Sequence, residues 1–293
     1  MAGDIIKPDV RGFFDPATST WTYVVWAAGH EDRRCAVIDS VLDYDMAAGR
    51  HGTDSADKVI AFVKARGLEV EWILETHIHA DHLTAAHYLK EQLGGKIAIS
   101  RHILAVLDTW VPVFQTAEDT PRDGVQFDTL FEDDADFTIG PMTAKMIHTP
   151  RHTPADTSYI IGDAVFVGDS MFLPDVGSGR CDFPGGSAGD SFDSAQKLLA
   201  LPPETRMYVG HDYPPGPRVT PQCMATVGEQ RAANIRFHQG MTRDRFIEER
   251  EAADRGKPVP ELILPSIQVN LRAGTFGKDI NGIQFVRLPL DKL

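Results

Sequence analysis

Four times in this chain a short run of strand-forming residues ends on a histidine or an aspartate. Val70 to Glu75 leads into Thr76-His77-Ile78-His79-Ala80-Asp81-His82. Thr143 to Ile147 leads to His148 and then to Pro150-Arg151-His152-Thr153. Val165-Phe166-Val167 leads to Gly168-Asp169, and Met207-Tyr208-Val209 to Gly210-His211-Asp212. Neutral imidazole and carboxylate are the usual protein ligands for zinc and iron. Ligands so far apart in sequence can meet only if their strands finish at one common sheet edge. The first cluster is the densest, with three histidines and one aspartate within six residues, and it predicts a metal site at the end of a strand.

The rest of the pattern supplies the layers. Trp21 to Ala28 and Arg34 to Val41 read as strands rich in Val, Ile and aromatics, with a loop from Asp43 to Asp54 after them. Ser55 is placed to cap a helix running to about Arg66, whose Ala56, Val59, Ile60 and Val63 fall on one face. Gly67 is placed to end it. Helices are expected over about 83–93 and 101–110, and a long loop over 111–128. Mostly strand follows from Thr129 to Phe172. A helix over 191–201, helices over about 224–238 and 242–255, and a Pro-punctuated tail complete the chain. Two groups of strands, each followed by helices, suit an α/β four-layer αββα sandwich.

Composition narrows the function classes. The 293 residues are 24% charged and 42% hydrophobic, ordinary for a globular protein, and the net charge of −13 disfavours a nucleic-acid partner. Cys35, Cys181 and Cys223 form no C-x-x-C pair, which predicts a reducing compartment without a disulfide framework. The first ten residues lack an apolar signal region and no run is long enough to span a membrane. A cytoplasmic location without membrane partners is the expectation.

The ordered set H-x-H-x-D-H, T-P-R-H-T-P, G-D and G-H-D-Y resembles the metallo-β-lactamase superfamily over roughly residues 20 to 215. Its metal-ligand positions are filled here by His77, His79, Asp81, His82, His152, Asp169 and His211. The fold implied is the four-layer sandwich of metallo-β-lactamase type, one domain over 1–293 with 216–293 as a C-terminal helical and extended elaboration. Within that superfamily, E-T-H-I-H-A-D-H-L, G-D-S-M-F, G-S-G-R-C-D-F-P-G-G, G-H-D-Y-P and the tail P-S-I-Q-V-N-L-R-A-G resemble the persulfide dioxygenases, in their longer bacterial branch.

That resemblance implies a non-haem Fe(II) dioxygenase with one iron per chain, held by His77, His152 and Asp169. Two imidazoles and a carboxylate on one face leave positions open for substrate sulfur and O₂. His79, Asp81, His82 and His211 then orient ligands and bound water, with Asp81, His82 and Tyr213 as the expected catalytic residues. The implied reaction is oxidation of glutathione persulfide by O₂ and water to sulfite and glutathione, a sulfide-detoxifying step. Arg180, Asp182, Tyr213 and Arg272 are the expected substrate-binding residues, Arg180 as a planar partner for a glutathione carboxylate. A homodimer is compatible with the resemblance.

The alternative is a binuclear zinc hydrolase of glutathione thioesters, like glyoxalase II. It would use all seven ligands with Asp169 as the bridge; zinc is also the expected adventitious metal. The sequence departs from the resembled pattern at Arg151 and Ala155, where the family usually has glycine, and at Ser178, where the human-type enzymes carry cysteine. His30, His51, His87, His102 and His238 read as ordinary surface or core histidines. His148 reads as a strand-end core residue.

Overall fold

The computed structural model describes residues 6–292. Two six-stranded sheets lie face to face. The first has the order β1 (Asp9–Asp15), β2 (Thr20–Trp26), β3 (Arg34–Ile38), β6 (Glu69–Leu74), β8 (Lys96–Ser100), β9 (Thr129–Phe131). The second runs β10 (Asp136–Ile139), β11 (Met142–His148), β12 (Thr157–Ile161), β13 (Ala164–Phe166), β14 (Arg206–Tyr208), β15 (Met224–Thr226). A small sheet of β5 (Arg50–Gly52), β4 (Val41–Asp45) and β7 (Leu83–Thr84) sits beside them.

Alternation along the strands divides the core into three apolar layers. Tyr23 and Val25 of β2, with Ala36 and Ile38 of β3, face the second sheet and pack on its Tyr159 and Phe166. Val24 and Trp26 face the other way, onto α1 (Asp54–Arg66), α2 (Ala86–Leu93), α3 (Ile103–Phe114) and α7 (Ile263–Asn270). On the far side of the second sheet, Val165 and Met207 pack under α4 (Ala188–Leu199), α5 (Val227–Ala233) and α6 (Arg243–Asp254). Three buried layers between four sets of elements give the αββα sandwich. No described helix is long and apolar enough to cross a membrane.

Several elements differ from expectation for local reasons. The expected 43–54 loop is the β4–β5 hairpin, whose polar side chains hide its strand character. Helix α1 starts two residues early, behind Thr53, and Ser55 bonds through both its amide and hydroxyl to Asp43 instead of capping. Helix α3 continues through Pro112 to Phe114, because Ile103, Val106, Leu107, Trp110, Val111 and Phe114 form one continuous buried face. The expected 224–238 helix begins as a strand, since β15 pairs along the β14 edge before the Thr226–Glu229 capping box opens α5. Strand β1 and helix α7 were not expected at all. Helix α7 packs against β7, directly beneath the histidine cluster.

Candidate metal centre

The loops after β6, β11, β13 and β14 all leave the sandwich at one edge, and the ligand candidates gather there. They form two groups. His77, His152 and Asp169 make one; His79, Asp81, His82 and His211 make the other, each with its ligand atoms within 4.8 Å of one another. The groups adjoin, with His77 and His79 ring centres 4.0 Å apart and Asp169 Oδ1 3.3 Å from His211 Nε2.

Four of the five histidines have one nitrogen hydrogen-bonded from behind. Thr76 Oγ1 donates its only proton to Asp39 Oδ2 at 2.8 Å and lies 2.9 Å from His77 Nδ1. The His77 nitrogen must therefore be the donor in that contact, which leaves the Nε2 lone pair facing inward. His79 turns Nε2 to Asp39 at 3.1 Å and Glu75 at 3.3 Å, which leaves Nδ1 inward. His82 Nδ1 bonds the Leu83 carbonyl at 3.2 Å. His211 Nδ1 meets Thr20 Oγ1 at 3.3 Å, whereas His152 Nδ1 lies 2.8 Å from Asp156 Oδ2 without hydrogen-bond geometry.

The inward atoms are the ones left without a hydrogen-bond partner. Among the described residues His77 Nε2, His79 Nδ1, His82 Nε2, His211 Nε2 and Asp169 Oδ1 are buried and unpaired. Such a group costs about 1–3 kcal/mol each when nothing satisfies it. Five converging ring nitrogens and carboxylate oxygens are what a cation needs, so the donor set fits a metal ion. Burial, then the neighbouring histidines, push His77 well below the ordinary imidazole range, and burial pushes His82 down to about 3. Both rings are thus neutral, as ligands must be. Burial alone would also lower His79, but Asp39 and Glu75 raise it well above that range.

Backbone conformation makes room for this packing. Gly168 has φ +48°, and a Cβ there would lie 2.3 Å from Thr76 Oγ1. From the tail, Asn270 Nδ2 donates to the carbonyls of His79 at 2.8 Å and His82 at 2.9 Å, while its Oδ1 accepts from Thr84 N–H at 2.8 Å. The segment after 216, read from sequence as an elaboration, thus braces the histidine loop.

A cavity of about 280 Å³ opens onto the first group. Arg151, His152 and Asp169 form its floor, Phe172 and Phe183 its apolar walls, and Arg180, Tyr213 and Lys257 further parts of its lining. Arg180 forks onto Asp182, Nε to Oδ1 at 2.6 Å and Nη2 to Oδ2 at 2.9 Å, and spends a third N–H on the Pro258 carbonyl. Two of its five N–H groups stay available. Tyr213 stacks near His211; partial burial of its hydroxyl end, then Asp81 and Asp169, push its phenol upward. The structure does not bring Arg272 to this cavity. Its guanidinium is buried on Asp119 at 2.8 Å and Thr120 at 2.9 Å, where it ties α7 to the loop after α3.

A further His102–Asp133–His148 group lies to one side. Its two imidazoles stack at 3.9 Å with planes 10° apart, so their in-plane lone pairs cannot converge on one ion. It joins the two sheets through Asp133 instead, with His102 Nε2 2.9 Å from that carboxylate.

A sequence model of the metallo-beta-lactamase superfamily matches residues 15–211, the span that carries all seven candidate ligands. The chain belongs to that superfamily. It is similar to a probable metallo-hydrolase of Burkholderia pseudomallei, 45% identical over 97% of this chain and 99% of that protein. It is also similar to glyoxylase B2 of Dictyostelium discoideum, 48% identical over 90% and 91%. A beta-lactamase hydrolase-like protein of Agrobacterium fabrum is 45% identical, and the chain spans only 65% of its length. Human mitochondrial persulfide dioxygenase ETHE1 is 26% identical over 90% of this chain and 88% of its own. Among solved structures, ETHE1 from Myxococcus xanthus superposes with a TM-score of 0.71 at 26% identity, over 91% of this chain and all of that one.

Sequence reasoning missed the residues behind the ligands. Asp39, Asp156 and Asn270 carry no periodic signal, and Glu75 and Thr76 read only as the end of a strand. Lys257 was not singled out either. The one available mark was position: Asp39 ends a strand run, as the ligands do, and has φ +50°, but a lone aspartate in a turn is commonplace.

Proposed function

We propose that this enzyme is a persulfide dioxygenase, oxidising glutathione persulfide with O₂ and water to sulfite and glutathione at one Fe(II) held by His77, His152 and Asp169. The observation that carries this reading is the grouping of ligand atoms. The three residues of a two-histidine, one-carboxylate face form a set by themselves, and His79 belongs to the other group with its Nε2 anchored on two carboxylates. A binuclear site of the usual kind would instead take His79 together with His77 and His152. Likeness to the Myxococcus ETHE1 structure over its whole length supports the same reading.

When bound, the ferrous ion supplies adjacent open positions where substrate sulfur and O₂ can meet. The protein's own residues supply the rest. Thr76 holds the His77 ring in the tautomer that faces inward, and Asp156 accepts from the His152 backbone amide and fixes the loop that carries that ring. Phe172 and Phe183 keep water from the sulfur end of the cavity. Arg180, stiffened by Asp182, offers its two free N–H groups to a substrate carboxylate, and Lys257 adds positive charge near it. Asp81, His82 and His211 remain beside the site as donors and acceptors for bound water; Asp81 Oδ2 is 3.2 Å from His211 Nε2.

One observation favours a second reading, a binuclear zinc hydrolase of glutathione thioesters. Asp169 Oδ1 faces His211 as well as its own group, the position of a bridging carboxylate, and relatives named hydrolase and glyoxylase accord with it. Metal analysis of protein purified without added metal, joined to oxygen uptake with glutathione persulfide, separates the two. One iron per chain with rapid uptake is expected. Two zincs, thioester cleavage and no uptake would overturn the proposal.

A further inference from the structure

Arg151 is among the largest fully buried side chains of the described residues, 1% exposed, in the loop that also carries His152. Its setting is unusual for a buried cation. Nη1 donates to the backbone carbonyl of Asp169, and Nη2 donates to the backbone carbonyl of Arg180 at 3.2 Å. The Phe172 ring lies 5.4 Å from its Cζ. The carboxylate oxygen Asp169 Oδ2 is 3.9 Å from Nη1, beyond hydrogen-bonding distance, and Nε has no partner.

Arg250 shows what a structural arginine looks like in this molecule. Also buried, it grips Asp254 through both Nε and Nη2. A guanidinium kept from water without such a fork is costly unless its charge serves another purpose. Arg151 instead spans two loops, one bearing the proposed carboxylate ligand and one bearing the proposed substrate anchor. Gly179 leaves space for it: a Cβ at that position would lie 2.0 Å from Arg151 Nη2.

We propose that Arg151 is a positioning residue: it locks the Arg180 segment to Asp169 and sets the direction from which the Asp169 carboxylate meets the metal. This rests on the reading of Asp169 as a ligand. The arginine acts through that residue and does not ligate the metal.

The test uses the full chain loaded with Co(II), whose visible bands report ligand geometry independently of turnover. Arg151→Gly, Arg151→Lys, Gly179→Ala and the double variant Arg151→Gly/Gly179→Ala are compared, with thermal melting as the folding control. Arg151→Gly should shift the bands and weaken Co(II) binding by about 10-fold or more, the usual effect of losing a partner behind a ligand. Arg151→Lys keeps the charge but cannot span both carbonyls, and should reproduce the shift. Gly179→Ala should do the same by displacing the guanidinium, and the double variant should be no worse than either single one. If Arg151→Gly fails to fold, the lysine and Gly179 variants carry the comparison. Native spectra and affinity in the folded variants, or effects that add, would overturn the proposal. Asp169→Ala is measured alongside; should it keep the native spectrum and affinity, the ligand reading fails and this proposal with it.

Discussion

The proton chain from Asp39 through Thr76 to His77 gives a sharp test, because Thr76→Val removes a hydroxyl while keeping the side chain's shape. Thr76 is 1% exposed, so water cannot replace what is lost. Two contacts disappear, the 2.8 Å bond to Asp39 Oδ2 and the 2.9 Å contact with His77 Nδ1. A buried donor left unsatisfied at His77 costs about 1–3 kcal/mol, and a hydrogen bond to the Asp39 carboxylate is worth about 1.5–3 kcal/mol. The metal-free protein should therefore lose about 3–5 kcal/mol, a large share of the roughly 5–15 kcal/mol typical of a folded domain. Freed of its donor role, His77 also loses its fixed tautomer, and metal affinity should fall about 10–100-fold. Urea denaturation of the metal-free protein reads the first quantity, and chelator competition reads the second. Thr76→Ser is the control: it keeps the hydroxyl and should hold both values near native. Valine and serine variants that behave alike in both assays would refute the proton accounting.

Three further outcomes follow from the same geometry. Asp169→Ala should abolish oxygen uptake and most metal binding, because it removes the only carboxylate of the proposed triad; retained iron at full occupancy would refute that role. Arg180→Ala should mainly raise KM for the glutathione-bearing substrate, since a contact remote from the reacting sulfur contributes uniform binding, and a fall in kcat alone would place its role at the metal. The Asp119–Arg272 pair should shape the acid limb of stability. Burial alone would raise the Asp119 carboxyl, but the Lys278 amide and Arg272 hold it below its ordinary value. A lowered folded value means the contribution is complete above about pH 4 and is lost as the pH falls through the folded value. Asp119→Asn should lower stability at pH 7 and flatten the decline below pH 4, as read by thermal melts across pH. An unchanged acid limb would rule the pair out as a source of that decline.

The sequence announced strand ends more clearly than anything else, and that is why the sheet edge carrying the ligands could be foreseen. Residues such as Tyr23 and Val24 alternate between two apolar layers, so their strand stands out in the chain as a continuous run of Val and aromatics. The β4–β5 hairpin is not, because a small polar sheet leaves no apolar alternation. Helix α7 hid for a different reason: Pro265 and the short length of Ile263–Asn270 look like tail, and only its packing on β7 makes it a helix. The site divides in the same way. Four of the seven candidate ligands stand in a compact motif, but groups behind them such as Asp39 and Asn270 come from elsewhere. His79 sits in the same six residues as His77, yet the two belong to different groups. What separates them is Asp39, forty positions before His79 at the end of a different strand, together with Glu75. Those two carboxylates hold Nε2 of His79 and leave its Nδ1 to the group of His82. Thr76, bonded to the same Asp39, holds Nδ1 of His77 and leaves its Nε2 to the group of His152. One buried carboxylate thus holds a ring of each set in place from outside the motif.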